Sequence, residues 1–131
     1  MPGKTERLKF KQRIAAPIDE VSSMFTNSTA LCEWLCDTAQ ADAHLGGHFY
    51  LWWESGYFVN GEYREITPGE KIVFSWHGAG EPGATQVKLT FKRQSKGTAL
   101  VLQHQGIGVD SAWKNVRKRF KSDWTHVFVP G

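Results

Sequence analysis

Alternating apolar and polar residues near the start of the chain predict a β-strand over residues 7–16. Leu8, Phe10 and Gln12 fall on one side of this strand, and the basic residues between them fall on the other. Pro17 lacks the backbone N–H that a strand needs for pairing, so the strand is expected to end there.

Helical spacing replaces the alternation after Pro17. Ile18, Val21 and Phe25 recur every three or four residues, and acidic residues stand near the positive end of the expected helix dipole. The triplet Asn-Ser-Thr at 27–29 breaks this pattern and is suited to cap a second helix over about 29–36. Two short helices are therefore predicted after the first strand.

The middle of the chain predicts strands joined by short turns rich in glycine, proline and serine. Gly46-Gly47 is interpreted as a two-residue hairpin turn between strands over 39–44 and 48–54. Asn60-Gly61 indicates a bulge or a tight turn within the next strand. The remaining strands are predicted over 57–66, 71–77, 85–93 and 98–105.

An apolar stripe predicts a long helix over 110–128, which Asp110 or Ser111 can cap. The residues of this stripe are Trp113, Val116, Phe120, Trp124 and Val127. Hairpin-length connections require antiparallel pairing of the strands. The order of elements therefore indicates an α+β fold, in which an antiparallel sheet of about six to seven strands packs against the last helix.

Composition is that of one ordinary globular domain over residues 1–131. Hydrophobic residues make up 40% of the chain and charged residues 22%, which excludes a disordered protein. No apolar run approaches the roughly 20 residues of a membrane span, and no secretory signal is recognised, so a cytoplasmic location is expected. Two cysteines exclude a disulfide framework.

The last predicted helix carries a run of basic residues, and the net charge of the chain is +3. A basic helix can meet nucleic acid, acidic lipid or an acidic protein, or it can simply face solvent. Because no base-stacking motif accompanies the charges, no nucleic-acid partner is predicted. The basic residues are Lys114, Arg117, Lys118, Arg119 and Lys121.

Aromatic residues are numerous: six Trp, eight Phe and three Tyr in 131 residues. Such rings either fill a core or line a cavity for a small molecule. Adjacent strand residues point to opposite faces, so only one of Trp52 and Trp53 can face inward, and Trp52 is expected to be that residue. The predicted ligand-binding residues are Trp52, Tyr57, Tyr63, Trp76, His104, Trp113 and Phe120.

His104 is also a candidate acid–base group, together with Glu65, although no catalytic residue is assigned. A buried His104 or Glu65 would have a shifted pKa, which is typical of catalytic acids and bases. The alternative for both is a structural hydrogen bond, since Glu65 lies beside the Thr67-Pro68 turn.

Cys32 and Cys36 lie one helical turn apart, and His44 and His48 flank the expected hairpin turn. Their spacing does not match a known zinc motif, and buried cysteine commonly behaves as a small apolar residue. No metal and no cofactor is predicted.

A series of short motifs resembles the START-related helix-grip (SRPBCC) superfamily, and most closely its branch named for the activator of heat-shock-protein ATPase (Aha-type) homology domain. The motifs cover nearly the whole chain in order. They are residues 16–21 (APIDEV), Trp34, residues 46–49 (GGHF), residues 61–66 (GEYREI) with Pro68, residues 72–76 (IVFSW), residues 98–104 (TALVLQH), and Trp113 or Trp124.

The resemblance implies a helix-grip fold, in which a curved antiparallel sheet wraps around a long C-terminal helix. Members of the superfamily bind lipids, hormones or polyketide-like molecules, act as cyclases or aromatases, or assist a chaperone. We therefore expect a cavity that binds a small apolar or aromatic ligand. The alternatives are a cyclase- or hydrolase-type enzyme that uses the same cavity, and an interaction protein that assists a chaperone ATPase. An exposed edge strand also makes a homodimer an option.

Overall fold

A computed structural model describes residues 4–127 of the chain, and side chains as far as Thr125. Seven strands form one antiparallel sheet in the order β1-β7-β6-β5-β4-β3-β2. The strands are β1 Thr5–Ile14, β2 Thr38–Ala41, β3 His48–Trp52, β4 Phe58–Thr67, β5 Lys71–Gly78, β6 Thr85–Gln94 and β7 Gly97–Gly108. The helices are α1 Ile18–Ser23, α2 Ser28–Trp34 and α3 Lys114–Val127, and a 3-10 turn, Ser111–Trp113, leads into α3.

This arrangement confirms the α+β helix-grip fold, a curved antiparallel sheet with two short helices after its first strand and a long helix at its end. The predicted caps are also confirmed. Asn27 Oδ1 accepts a hydrogen bond from Ala30 N at 3.0 Å at the start of α2, and Asp110 Oδ1 accepts one from Ala112 N at 3.0 Å. Val127, the last member of the predicted stripe, lies in α3, but its side chain falls outside the described residues.

Gly46-Gly47 does not form the expected two-residue turn. The connection between β2 and β3 spans residues 42–47, and its end pairs with β4 instead of closing a tight hairpin. Gly46 N donates to Tyr63 O at 2.7 Å, and Tyr63 N donates to Gly47 O at 2.9 Å. Backbone pairing with a strand distant in sequence therefore determines this loop.

The irregularity of β4 lies between Tyr63 and Glu65, and not at Asn60-Gly61. Gly61 is instead a point of close approach, because a Cβ built there would collide with the carbonyl oxygen of Ser75 on β5. The register shift places both Tyr63 and Ile66 on the core side of the sheet. It also determines where Glu65 points.

The core lies between the inner face of the sheet and the three helices. Alternate residues of the long strands enter it, and α3 adds Val116, Phe120 and Trp124 from one side of the helix. Within residues 4–127, no helix combines the length and apolar character needed to cross a membrane.

Candidate functional site

A cavity of about 600 Å³ lies between α3 and the part of the sheet around the turn that joins β3 to β4. Its size is within the range of small-molecule binding sites. Five of its lining residues carry aromatic rings, and α3 contributes one whole side. The lining residues are Leu35, Trp53, Ser55, Tyr57, Trp76, Arg119, Phe120, Ser122, Asp123 and Trp124.

Trp53 forms the wall of the cavity at the end of β3. It packs against the same core as Phe49 and Leu51, which are fully buried four and two residues earlier. Its indole Nε1 donates to Leu35 O at 2.8 Å, and its ring lies 5.1 Å from the ring of Tyr57. These contacts hold the ring at the edge of the cavity.

The expectation that Trp52 lines the cavity is corrected to Trp53. Because Phe49 and Leu51 point into the core, strand alternation turns Tyr50 and Trp52 to the outer face of the sheet. Trp52 is half-buried there and stands opposite Phe58 of β4. The sequence predicts that Trp52 and Trp53 lie on opposite faces of the strand, but it does not predict which of these faces enters the core.

A polar cluster of Tyr57, Glu81 and Arg119 closes one end of the cavity. The Tyr57 hydroxyl donates to Glu81 Oε2, and Arg119 Nη2 donates to the same oxygen at 2.7 Å. Gly78 N donates to Glu81 Oε1 at 2.8 Å, and Trp76 Nε1 donates to the Tyr57 oxygen at 3.2 Å. The Glu81 carboxylate is thus buried with three donors, as a buried charge requires.

The cluster keeps Tyr57 as a neutral donor. Burial, and then the hydrogen bond to the Glu81 carboxylate, raise the pKa of the Tyr57 hydroxyl above its ordinary value. The guanidinium of Arg119 lies 4.7 Å from the centre of the Tyr57 ring, in a cation–π contact. Arg119 Nε is buried and has no acceptor among the described residues. The charges of Arg119 and Glu81 are paired with each other, and Asp123 adds a second carboxylate to the cavity lining.

A glycine makes this cluster possible. A Cβ at Gly78 would collide with Glu81 Oε2 and with the Tyr57 hydroxyl. The last residue of β5 therefore leaves the space in which the carboxylate and the phenol meet.

His104 is fully buried behind the cavity wall, and both of its ring nitrogens have partners. Trp124 Nε1 donates to Nδ1 at 3.0 Å, and Nε2 lies 2.6 Å from Thr85 Oγ1. Since Nδ1 accepts, the proton resides on Nε2, which donates to Thr85. Thr85 Oγ1 in turn donates to Trp76 O at 3.1 Å. The chain of donors runs from α3 through β7 and β6 to β5.

Burial lowers the pKa of His104 to about 3, so its ring is neutral near pH 7. Its ring stacks on Phe120 with 4.2 Å between centroids, which places it beneath the cavity wall. His104 therefore supports two wall residues, Phe120 and Trp124.

The structure places three of the seven expected residues, Tyr57, Trp76 and Phe120, in the wall of the cavity. Tyr63 is fully buried, and its hydroxyl donates to Phe25 O at 2.8 Å. The ring of Trp113 covers Gly108 at the end of β7, where a Cβ would collide with it. Neither of these two residues lines the cavity, because the first is sealed in the core and the second lies before α3 begins.

Glu65 does not face the cavity. After the register shift in β4 it stands opposite Val73 on the outer face of the sheet, and Lys71 Nζ contacts its Oε2 at 2.8 Å. The two groups proposed as acids or bases from the sequence, Glu65 and His104, are thus on the outer face and in the core.

The four candidate metal-ligating residues are not brought together. The buried Cys36 interacts with the exposed Cys32, whereas His44 contacts Asp42 at 2.9 Å. Burial raises the pKa of the Cys36 thiol to about 12, which disfavours the reactive thiolate. In the described part of the chain no three potential ligands are grouped for a metal ion.

Sequence reasoning missed Glu81, Arg119 and Asp123 as residues at the cavity. Glu81 belongs to a loop in which nothing local signals burial. The sequence predicts Arg119 only as one charge of a basic helix, although its neighbour Phe120 belongs to the apolar stripe. Trp124, one turn after Phe120 in the same apolar stripe, could have been added to the wall from its helical spacing.

Comparisons with known proteins agree with this fold. The model of the family described as activator of Hsp90 ATPase homolog 1-like protein matches residues 15–128. No curated protein matches the sequence. Among solved structures, an HSP90 activator from Plasmodium falciparum is 26% identical with a TM-score of 0.77, and the match covers 94% of this chain and 90% of that one.

Two other solved structures share the fold at lower identity. A protein from Mesorhizobium loti has a TM-score of 0.83 at 19% identity, with 94% of this chain and 91% of that chain covered. CalU16 from Micromonospora echinospora has a TM-score of 0.73 at 24% identity, with 96% and 74% covered.

Proposed function

The chain belongs to the family of activator of Hsp90 ATPase homolog 1-like proteins, and from this membership and the cavity we propose that it binds a small, uncharged, ring-containing molecule. The ligand lies between α3 and the turn that joins β3 to β4. The cytoplasm remains the expected compartment.

The observation that carries this proposal is the composition of the cavity wall. Rings of Trp53, Trp76 and Phe120 offer apolar contact area, and burial of ligand surface stabilises the complex by about 25 cal/mol per Å². The Tyr57–Glu81–Arg119 cluster supplies the polar end that orients a ligand. An ionised ligand would upset the charge balance of this pair.

The enzymatic alternative receives less support. It relied on Glu65 and His104, and a general acid or base must come within hydrogen-bond reach of the reacting group. Glu65 lies on the outer face and His104 is sealed by its two partners. Binding without turnover is therefore the stronger proposal.

The test is titration with prodan, a neutral naphthalene ketone whose emission shifts to the blue in apolar surroundings. Ser122 is an exposed residue of α3 at the cavity, so Ser122→Trp fills the space while leaving the core unchanged. We expect saturable binding to the original chain and at least a tenfold weaker affinity for Ser122→Trp.

The matched control is Lys118→Trp, which adds the same ring to an exposed position of α3 that does not line the cavity. Its affinity for prodan should equal that of the original chain. Equal weakening in both variants, or the lack of a saturable shift in the original chain, contradicts the proposal.

A second candidate function, stimulation of an Hsp90-type ATPase, is favoured by the likeness to the HSP90 activator from Plasmodium falciparum. This activity would use the outer surface and not the cavity. We expect Ser122→Trp to keep any stimulation of a purified Hsp90 ATPase, and charge reversal at Lys118 and Lys121 to abolish it. Stimulation that disappears with Ser122→Trp alone would assign the effect to the cavity.

A further inference from the structure

A basic surface covers the outer face of β1, β7 and β6. Leu8 and Phe10 of β1 pack against the core, as do Val87 and Leu89 of β6, so the residues between them point outward. We name this surface the basic sheet face. It comprises Arg7, Lys9, Lys11, Arg13, Lys88 and Lys92.

Strand register arranges these cations in two rows. On the outer face, β7 lies between β1 and β6 and contributes only uncharged side chains. The residues that pair across β1, β7 and β6 form three sets: Lys9–Gln103–Lys88, Lys11–Val101–Thr90 and Arg13–Ala99–Lys92. Successive sets are about 7 Å apart along the strands, and the cations of β1 lie about 10 Å from those of β6. The positive charge is therefore spread over an area and does not follow a single line.

These cations have no compensating acids. None of the six forms an ion pair within the described residues. Glu6 is the only acidic residue of the three strands, and its carboxylate contacts Arg117 Nε of α3 at 3.1 Å. On β4, two strands beyond β6, the Glu65 carboxylate contacts Lys71 Nζ of β5. The basic sheet face therefore carries a net positive charge that no acidic side chain of the same strands neutralises.

We propose that the basic sheet face docks on an anionic lipid bilayer. Bilayer surfaces carrying anionic lipids attract clusters of Lys and Arg of this size. The face has no ring among the outward residues of these strands on which a base could stack, which disfavours single-stranded nucleic acid. A two-dimensional array also fits a charged plane better than one extended acidic peptide.

The test is co-sedimentation with vesicles of phosphatidylcholine alone or with about one-third phosphatidylserine. The triple variant Lys9→Gln, Lys88→Gln, Lys92→Gln should bind anionic vesicles about a hundredfold more weakly, at about fivefold per charge. Raising the salt concentration should weaken binding of the original chain, because it screens the attraction.

The matched control is Lys114→Gln, Lys118→Gln, Lys121→Gln, which removes the same charge from exposed positions of α3. We expect this variant to keep the original affinity within about threefold. Circular dichroism melting of both variants checks that they fold equally. Lack of binding to anionic vesicles, equal loss in both triples, or tighter binding to oligo(dT) or polyglutamate under the same conditions overturns the proposal.

Discussion

The indole Nε1 of Trp124 donates to Nδ1 of His104 across 3.0 Å, and this bond ties the long helix α3 to β7, the strand next to the edge strand β1. It also determines the tautomer of His104, which then donates from Nε2 to Thr85. A proton added to Nδ1 would face the Trp124 N–H, so protonation and this contact are incompatible. The hydrogen bond between α3 and the sheet therefore requires His104 to be neutral.

Acid should weaken the fold through His104. Burial lowers its pKa from 6.5 to about 3, so below pH 6.5 the unfolded chain binds a proton that the folded chain does not. This contribution to stability is complete above pH 6.5 and is lost as the pH falls towards 3, by up to about 1.4 kcal/mol per pH unit. Urea unfolding at pH 7 and pH 5 measures the loss.

His104→Gln should flatten this pH dependence, whereas His48→Gln on the exposed surface should leave it unchanged. NMR of the original chain provides a measurement that does not depend on the variant folding. An imidazole of His104 that protonates near pH 6.5 would contradict the buried, neutral assignment.

The hydroxyl of Thr85 should contribute to the stability of the fold, so Thr85→Val should destabilise the protein although the two side chains have similar volumes. Thr85→Val leaves the His104 Nε2–H without an acceptor in the core, so we expect a loss of about 1–3 kcal/mol in the free energy of unfolding. Thr90→Val on the outer face of the same strand should change it by no more than about 0.5 kcal/mol. Chemical denaturation compares the two, and equal effects would refute the chain of donors.

Glu81 should contribute to stability as the shared acceptor of the polar cluster. Glu81→Gln places an NH₂ group among donors from Tyr57, Arg119 and Gly78, and we expect a loss of about 1.5–3 kcal/mol. Glu62→Gln is the control, because its contact with Arg64 is exposed and 3.9 Å long, so it should cost about 0.5 kcal/mol or less. Thermal melting of both variants measures these losses. A Glu81→Gln variant as stable as the original chain would contradict a stabilising role for the cluster.

Gly61 should resist substitution because of its surroundings and not its backbone angles. In Gly61→Ala the new methyl group meets the Ser75 carbonyl, so we expect a loss of about 1–3 kcal/mol. In Gly83→Ala the new methyl group meets only Trp113 Cζ2 at 3.6 Å, and the variant should be neutral or slightly stabilised. Differential scanning calorimetry tests the pair. A reversed order would contradict the close approach of β4 and β5.

Local patterns in the sequence were sufficient to predict the order of the helices and strands, and to predict which face of most of them points into the core. Asn27 and Asp110 cap helices through contacts within three residues, and the stripe through Phe120 needs only helical spacing. Motifs spread along the chain also led to the family. Because these signals act over a few residues, they are visible before folding.

Tertiary structure alone decided the site and the charged face. A single register shift in β4 turned Glu65 outward, and the burial of Phe49 and Leu51 selected Trp53 over Trp52. Glu81 became a buried acceptor only when β4, β5 and α3 met around it. The basic rows of β1 and β6 became one surface because both strands pair with β7, and such long-range pairing depends on the whole chain and not on any local pattern.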